Sequence, residues 1–273
     1  MQNEANIEQI LDFYLQAGVD EVIGDAPVNQ FDRPAPPKKP ANLQPNQTQT
    51  PKPSSRAPIA APLAIAKKPS QSSEQHISAA TDAANSAISL DELKSAIENF
   101  EGCNLKSMAM NTVFARGNPD APLMVIDRAP SAEEDRAGQP FASASGTFLA
   151  KMMNSIGLSE ADVYLASSLP WRPPGGRTPT REEQAICLPF ILRHIELASP
   201  KIILICGEAA AFMLNKKVGI NKLRGKWEDL PANSHMVSSL SIFHPTFLME
   251  HPASKKMAWS DLLKLKAALA SIS

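Results

Sequence analysis

The stretch Leu123 to Gly146, LMVIDRAPSAEEDRAGQPFASASG, gathers carboxylates, arginines and hydroxyls directly behind an apolar run. The run ends in Asp127-Arg128, passes through Glu133-Glu134-Asp135-Arg136 and Gly138-Gln139-Pro140-Phe141, and opens a helix past Ser143 and Ser145. Carboxylates serve as general bases, whereas an arginine stays protonated in a protein and can only donate. Two further loops carry unusual sequences. Ser167 to Pro179 reads SSLPWRPPGGRTP, with Arg172 and Arg177 bracketing a Pro-Pro-Gly-Gly turn, and a lone His244 precedes Pro245-Thr246-Phe247-Leu248. Each loop follows an apolar run. In an open α/β sheet, ligands bind at the C-terminal ends of the strands, so these loops mark the rim of a candidate active site.

The elements that must position them follow from periodicity. Strands are expected at Leu123–Ile126, Val163–Ala166, Lys201–Cys206 and Ser238–Phe243. Helices are expected at Thr147–Ile156, Arg181–Leu197, Glu208–Asn215 and Lys255–Ala270, with Thr180-x-x-Glu183 as a capping box for the second. Ser89-x-x-Glu92 caps an earlier helix whose Leu90, Leu93, Ile97 and Phe100 share one face. Strands alternating with helices predict an α/β fold: three layers, α/β/α, around a mostly parallel sheet.

The N-terminal part reads differently. Ile7, Ile10, Leu11, Tyr14 and Leu15 predict an amphipathic helix within residues 1–25. Residues 26–76 read as a disordered linker, because eleven of the chain's 24 prolines fall in it among Gln, Asn, Ser and Thr. Such a linker is a spacer or a ligand for a protein partner. The folded domain is then expected over residues 77–273.

Composition narrows the function classes. The formal net charge of −1 gives no global cationic field, so any contact with nucleic acid must come from local clusters such as Lys222, Arg224 and Lys226. Three cysteines without regular spacing argue against a disulfide framework and point to a reducing, cytoplasmic setting. The first residues lack a basic and apolar signal pattern, and no apolar run approaches the roughly 18 residues of a membrane span.

Several motifs, taken in order, resemble the uracil-DNA glycosylase superfamily, and most of all its bacterial iron–sulfur branch, family four. VIDRAPSAEEDRAGQPFASASG, VYLASSLPWRPPGGRTP, CLPFILRHIELASPKIIL, LRGKW and FHPTFL match that family's motifs in sequence and spacing, over roughly Leu90 to Ala270. The resemblance implies a protein of base-excision repair that binds DNA and takes a flipped base. It assigns Phe141 to stacking on the base and His244 to donating toward the uracil oxygen that gains charge.

The departures from the family pattern are as informative as the matches. Ser167 stands where the family reads the base with an Asn amide, and Arg128 stands where it keeps the water-handling acid. Asp127, Glu134 and Asp135 are the carboxylates left to stand in. With Arg128 and Ser167 in those places, hydrolytic uracil excision is not expected to follow the family route. The alternatives are a catalytically inactive DNA-binding or protein-interaction module and a glycosylase of shifted base preference.

The family's [4Fe–4S] cluster takes four Cys thiolates. Cys103 and Cys187 match two of them, while Phe100 and Trp171 align with the other two. The expectation is therefore no cluster and no other metal, with Phe100 and Trp171 packed beside Cys103 and Cys187 as an apolar plug. DNA, single-stranded or uracil-containing, is the expected partner. Arg172, Arg177, Lys222 and Arg224 are expected on its backbone, and Leu248 with Met249 as a wedge.

Overall fold

Four strands form the centre of the sheet; three are buried on both faces throughout, and the fourth is buried over its C-terminal half. They are β2 (Leu123–Asp127), β3 (Val163–Ser167), β4 (Ile202–Cys206) and β6 (His235–Ile242), all mutually parallel in the order β3-β2-β4-β6. Short antiparallel strands close the two edges: β1 (Ala115–Gly117) beside β3 and β5 (Trp227–Ala232) beside β6. The computed structural model describes residues 71–232 and 235–272. The amphipathic helix expected within residues 1–25 and the linker up to residue 70 lie outside the described residues.

The alternation of side chains along the strands divides the core. On one face Leu123, Val125, Leu165, Leu204 and Ile242 pack against α4 (Ala144–Ser155), α8 (Pro245–Glu250) and α9 (Lys255–Ala270). On the other, Met124, Ile126, Ile203 and Ile205 meet α5 (Arg181–Ala198) and α6 (Ala209–Met213). The expected three layers are therefore present. A third cluster joins α1 (Gln71–Ser86) and α2 (Leu90–Asn99) to α5. Among the described residues, no helix is long and apolar enough to cross a membrane.

Several expectations need correction. Helix α1 starts at Gln71, so the stretch read as linker turns helical within its last six residues, and His76 sits on that helix. The acidic patch after β2 is a short helix, α3 (Ala132–Ala137), rather than a loop. Ser131 caps it: the Ser131 hydroxyl accepts from the Glu134 N–H, and the Glu134 carboxylate accepts from the Ser131 N–H at 2.7 Å. Edge strands β1 and β5 and helices α7 (Ile220–Leu223) and α8 were not anticipated. Strand β5 accommodates Pro231 because an edge strand can spare an N–H.

Candidate functional site

Asp127 ends β2 and His244 follows β6, so the sheet itself delivers the two side chains to one edge. His244 Nε2 lies 2.8 Å from Asp127 Oδ1, and its Nδ1 accepts from the Thr246 N–H at 3.1 Å. An N–H always donates, so Nδ1 must be the bare nitrogen. Nε2 therefore carries the hydrogen and gives it to Asp127. Both residues are deeply buried, Asp127 at 1% and His244 at 7% exposure. Gly207, at the end of β4 with φ +68°, makes room for them: a Cβ there would come within 2.9 Å of the His244 Cβ.

Burial governs the protonation of this group. It pushes Asp127 up to about 6, an increase that the neighbouring Glu134 carboxyl and the Arg128 charge partly offset. Burial, joined by the Asp127 charge, also pushes Glu134 up to about 6. His244 is pushed down to about 4 by burial, and the Arg128 guanidinium adds to that. At neutral pH the pair is thus a carboxylate and a neutral imidazole, joined by a hydrogen bond rather than by two full charges. Asp127 Oδ1 also accepts from the Arg128 N–H at 2.8 Å, while Oδ2 is buried without a hydrogen-bond partner among the described residues.

Phe141 stands beside this pair, its ring nearly parallel to the His244 imidazole with centroids 6.2 Å apart. Its φ of +53° is uncommon for a side chain of its size. Two features hold it there. Arg116 on β1 donates to the Phe141 carbonyl at 3.1 Å. Gly146 lets that carbonyl approach α4 so closely that a Cβ would fall 1.7 Å from it. Neither Arg116 nor Gly207 stood out in the sequence, because their roles depend on contacts between distant strands. Gly146 closes a matching motif and was a usable signal.

The other expected site residues divide into those at this rim and those elsewhere. Ser167 pairs with Asp127 across β2 and β3, but its hydroxyl turns to backbone carbonyls, 2.7 Å from that of Leu169 and 3.0 Å from that of Arg128. Glu134 is at the rim. Asp135 is not: its carboxylate accepts from the N–H groups of Met110 and Asn111 at 2.8 and 3.2 Å and ties down the preceding loop. Assigning Asp135 to catalysis is therefore corrected to a loop anchor. Neither of the two sizeable cavities flanking the rim is lined by Asp127 or His244.

Of the expected DNA-backbone residues, Arg224 is displaced. It forms a two-pronged ion pair with buried Asp261, at 2.9 and 2.6 Å, with its guanidinium over the Phe243 ring. Arg177 is committed to Glu183 in a similar fork. Lys222 is exposed, and Arg172 is half-buried with its Nε unpartnered. Leu248 packs into the core and so cannot be a wedge, whereas Met249 is exposed.

Phe100, Cys103, Trp171 and Cys187 do meet, in one buried cluster together with Phe190. The Phe100 ring packs edge-on against Phe190 at 5.2 Å, and the Trp171 Nε1–H donates to the Thr112 hydroxyl at 3.2 Å. The Cys103 and Cys187 thiols share a hydrogen bond, which lowers the first and helps raise the second. A four-iron cluster needs four thiolates. These residues supply two, and Cys206 lies apart on β4. This donor set does not fit the group. Among the described residues, no set of three or more His, Cys, Asp or Glu could hold a metal ion.

The chain is similar to known proteins. The model of the uracil DNA glycosylase superfamily matches residues 114–263. A type-4 uracil-DNA glycosylase of Thermotoga maritima is 32% identical over 175 residues, covering 63% of this chain and 90% of that protein. One of Saccharolobus solfataricus is 32% identical over 188 residues, covering 67% and 87%. One of Archaeoglobus fulgidus is 32% identical over 182 residues, covering 65% and 92%. With its motifs in order on a matching sheet, this chain belongs to the uracil-DNA glycosylase superfamily, and within it to the family-four type.

Proposed function

We propose that this protein binds single-stranded or uracil-containing DNA in a base-excision-repair setting, on a glycosylase scaffold whose family route to uracil excision is closed. One observation carries the reading: the hydrogen that His244 would offer a leaving uracil is given to Asp127, in a buried pair 2.8 Å apart. A donor aimed at developing charge lowers a barrier by ~3 kcal/mol. A donor spent on a carboxylate does not, and the Asp127 charge would repel a departing uracil anion. The other requirements fail in parallel. Arg128 cannot take a proton from water, and the Ser167 hydroxyl is turned to backbone. A flipped base could reach Phe141 and His244 only after the Asp127–His244 bond opens.

On this reading the aromatic plug stands in place of the iron–sulfur cluster, and the fold forms without iron. A reducing cytoplasm suits its three free, buried thiols.

A second reading rests on Asp127 Oδ2, a buried oxygen without a partner beside the base-stacking Phe141. That oxygen could position a water and return hydrolysis by a different carboxylate. One assay decides. The purified chain is incubated with a uracil-containing single-stranded oligonucleotide, and abasic sites are revealed with alkali. The expected result is salt-dependent binding without cleavage. Cleavage lost in both Asp127→Asn and His244→Ala would replace the first reading by the second. Visible absorbance from anaerobically purified protein would overturn the cluster-free reading.

A further inference from the structure

We propose that the groove between α5 and α6 holds a single strand of nucleic acid, with Arg128 as its innermost cation. The proposal rests on the DNA-binding reading above and gives the strand a path on this surface. The groove encloses about 640 Å³ on the face of the sheet opposite α4, within the range of small-ligand sites. It starts one residue from Asp127, yet neither Asp127 nor His244 lines it. It is therefore separate from the sealed site.

Its chemistry suits nucleotides. Leu169 and Leu188 make an apolar wall, and Phe212 brings a partly exposed ring to the opening. Four cations border it, Arg128, Arg181, Lys216 and Lys217, against one carboxylate, Glu208. Arg181 and Lys217 are exposed and make no salt bridge among the described residues, while Lys216 shares Glu228 at 3.2 Å. In a chain of net charge −1 such a local excess is not a by-product of composition. Cations for phosphates beside an aromatic face for bases is the arrangement that binds single strands without reading sequence. In a duplex the base faces are stacked on one another and could not reach Phe212.

This placement also gives Arg128 a use. An arginine is useless as a base for water, but it supplies positive charge where the groove approaches the sheet. The substitution that closes the old chemistry thus furnishes the new contact.

The test measures anisotropy of a labelled oligo-dT with the full chain over a series of salt concentrations. Arg181→Glu with Lys217→Glu should weaken binding about tenfold or more and flatten the salt slope by about 1.4, the share of two phosphates on a single strand. Phe212→Ala should weaken it at least about fivefold with the slope unchanged. A control of equal charge change on another face, Lys151→Glu with Lys266→Glu, should do much less. If the control matches the groove pair, or the groove pair binds like the parent protein, the groove is not the site and only this inference fails. If the parent protein does not bind DNA at all, the proposed function fails with it.

Discussion

The apolar plug around Trp171 and the rim around Asp127 are both buried, and they bury opposite kinds of side chain. At the plug, the rings of Phe100, Trp171 and Phe190 pack with the thiols of Cys103 and Cys187. Burial of apolar surface drives that packing, and the one polar atom of Trp171 has found the Thr112 hydroxyl. At the rim, two carboxyls and an imidazole have been drawn out of water, and burial shifts all three against their charged forms. The first arrangement stabilises the fold, and the second works against it. Stability therefore accounts for the burial of Phe100 and Trp171 but not for that of Asp127.

The largest expected effect breaks the comparison on the plug side. Trp171→Ala should destabilise the protein by about 3–5 kcal/mol in urea unfolding, as removal of large buried aromatics does. Asp127→Asn should show no such loss at neutral pH, since it removes a charge from an apolar setting and keeps the shape. A Trp171→Ala cost below about 1 kcal/mol would mean that the aromatic packing carries little of the fold.

The pH dependence sharpens the rim side. Asp127 holds its proton more tightly when folded, near 6 against the usual 3.8. Its contribution to stability is complete below the unfolded value and is lost as the pH rises through about 6. His244 is the reverse, near 4 against the usual 6.5, so its contribution is complete above 6.5 and is lost as the pH falls through about 4. The two oppose each other over one window. The parent protein should therefore have a shallow profile between about pH 4 and 6.5, and the single variants should tilt it in opposite senses. Asp127→Asn should lose stability on acidification, less any part that Glu134 still supplies. His244→Gln should gain it, each by on the order of 2 kcal/mol. Parallel profiles for the two variants would mean that burial does not shift Asp127 and His244 in opposite directions.

How much of this was readable beforehand follows the same division. Three of the central strands are nearly continuous apolar runs, and all four are legible to within a few residues. The edges were not, because Ala115-Arg116-Gly117 has no pattern and Pro231 disguises β5. Helix α1 was half lost because its glutamines and serines continue the composition of the proline-rich stretch before it. The packing of Phe100 and Trp171 beside Cys103 and Cys187 was legible in the sequence, because all four fall in matching motifs. The rim was legible only as a set of residue types. That Asp127 would take the His244 hydrogen joins two residues 117 positions apart, and no local pattern carries it. Helix α3 is legible in Ser131-x-x-Glu134, which has the same spacing as the caps of α2 and α5.

Those caps offer the smallest and most direct test, because one motif serves both regions. Thr180 caps α5 beside the plug, its hydroxyl accepting from the Glu183 N–H at 3.2 Å. Ser131 caps α3 at the rim, where the equivalent bond to the Glu134 N–H is longer, 3.4 Å, and near the limit of a useful hydrogen bond. Alanine at an N-cap costs roughly 0.5–2 kcal/mol, so Thr180→Ala should cost about 1 kcal/mol and Ser131→Ala about half that. The difference has a structural reason. α5 spans 18 residues and packs on both the sheet and the plug, whereas α3 spans six and serves mainly to bring Glu134 to Asp127. Thermal melts of the two variants at one pH would decide it. If Ser131→Ala proved the costlier, the rim would contribute more to folding than its buried charges allow, and the contrast between the two regions would be lost.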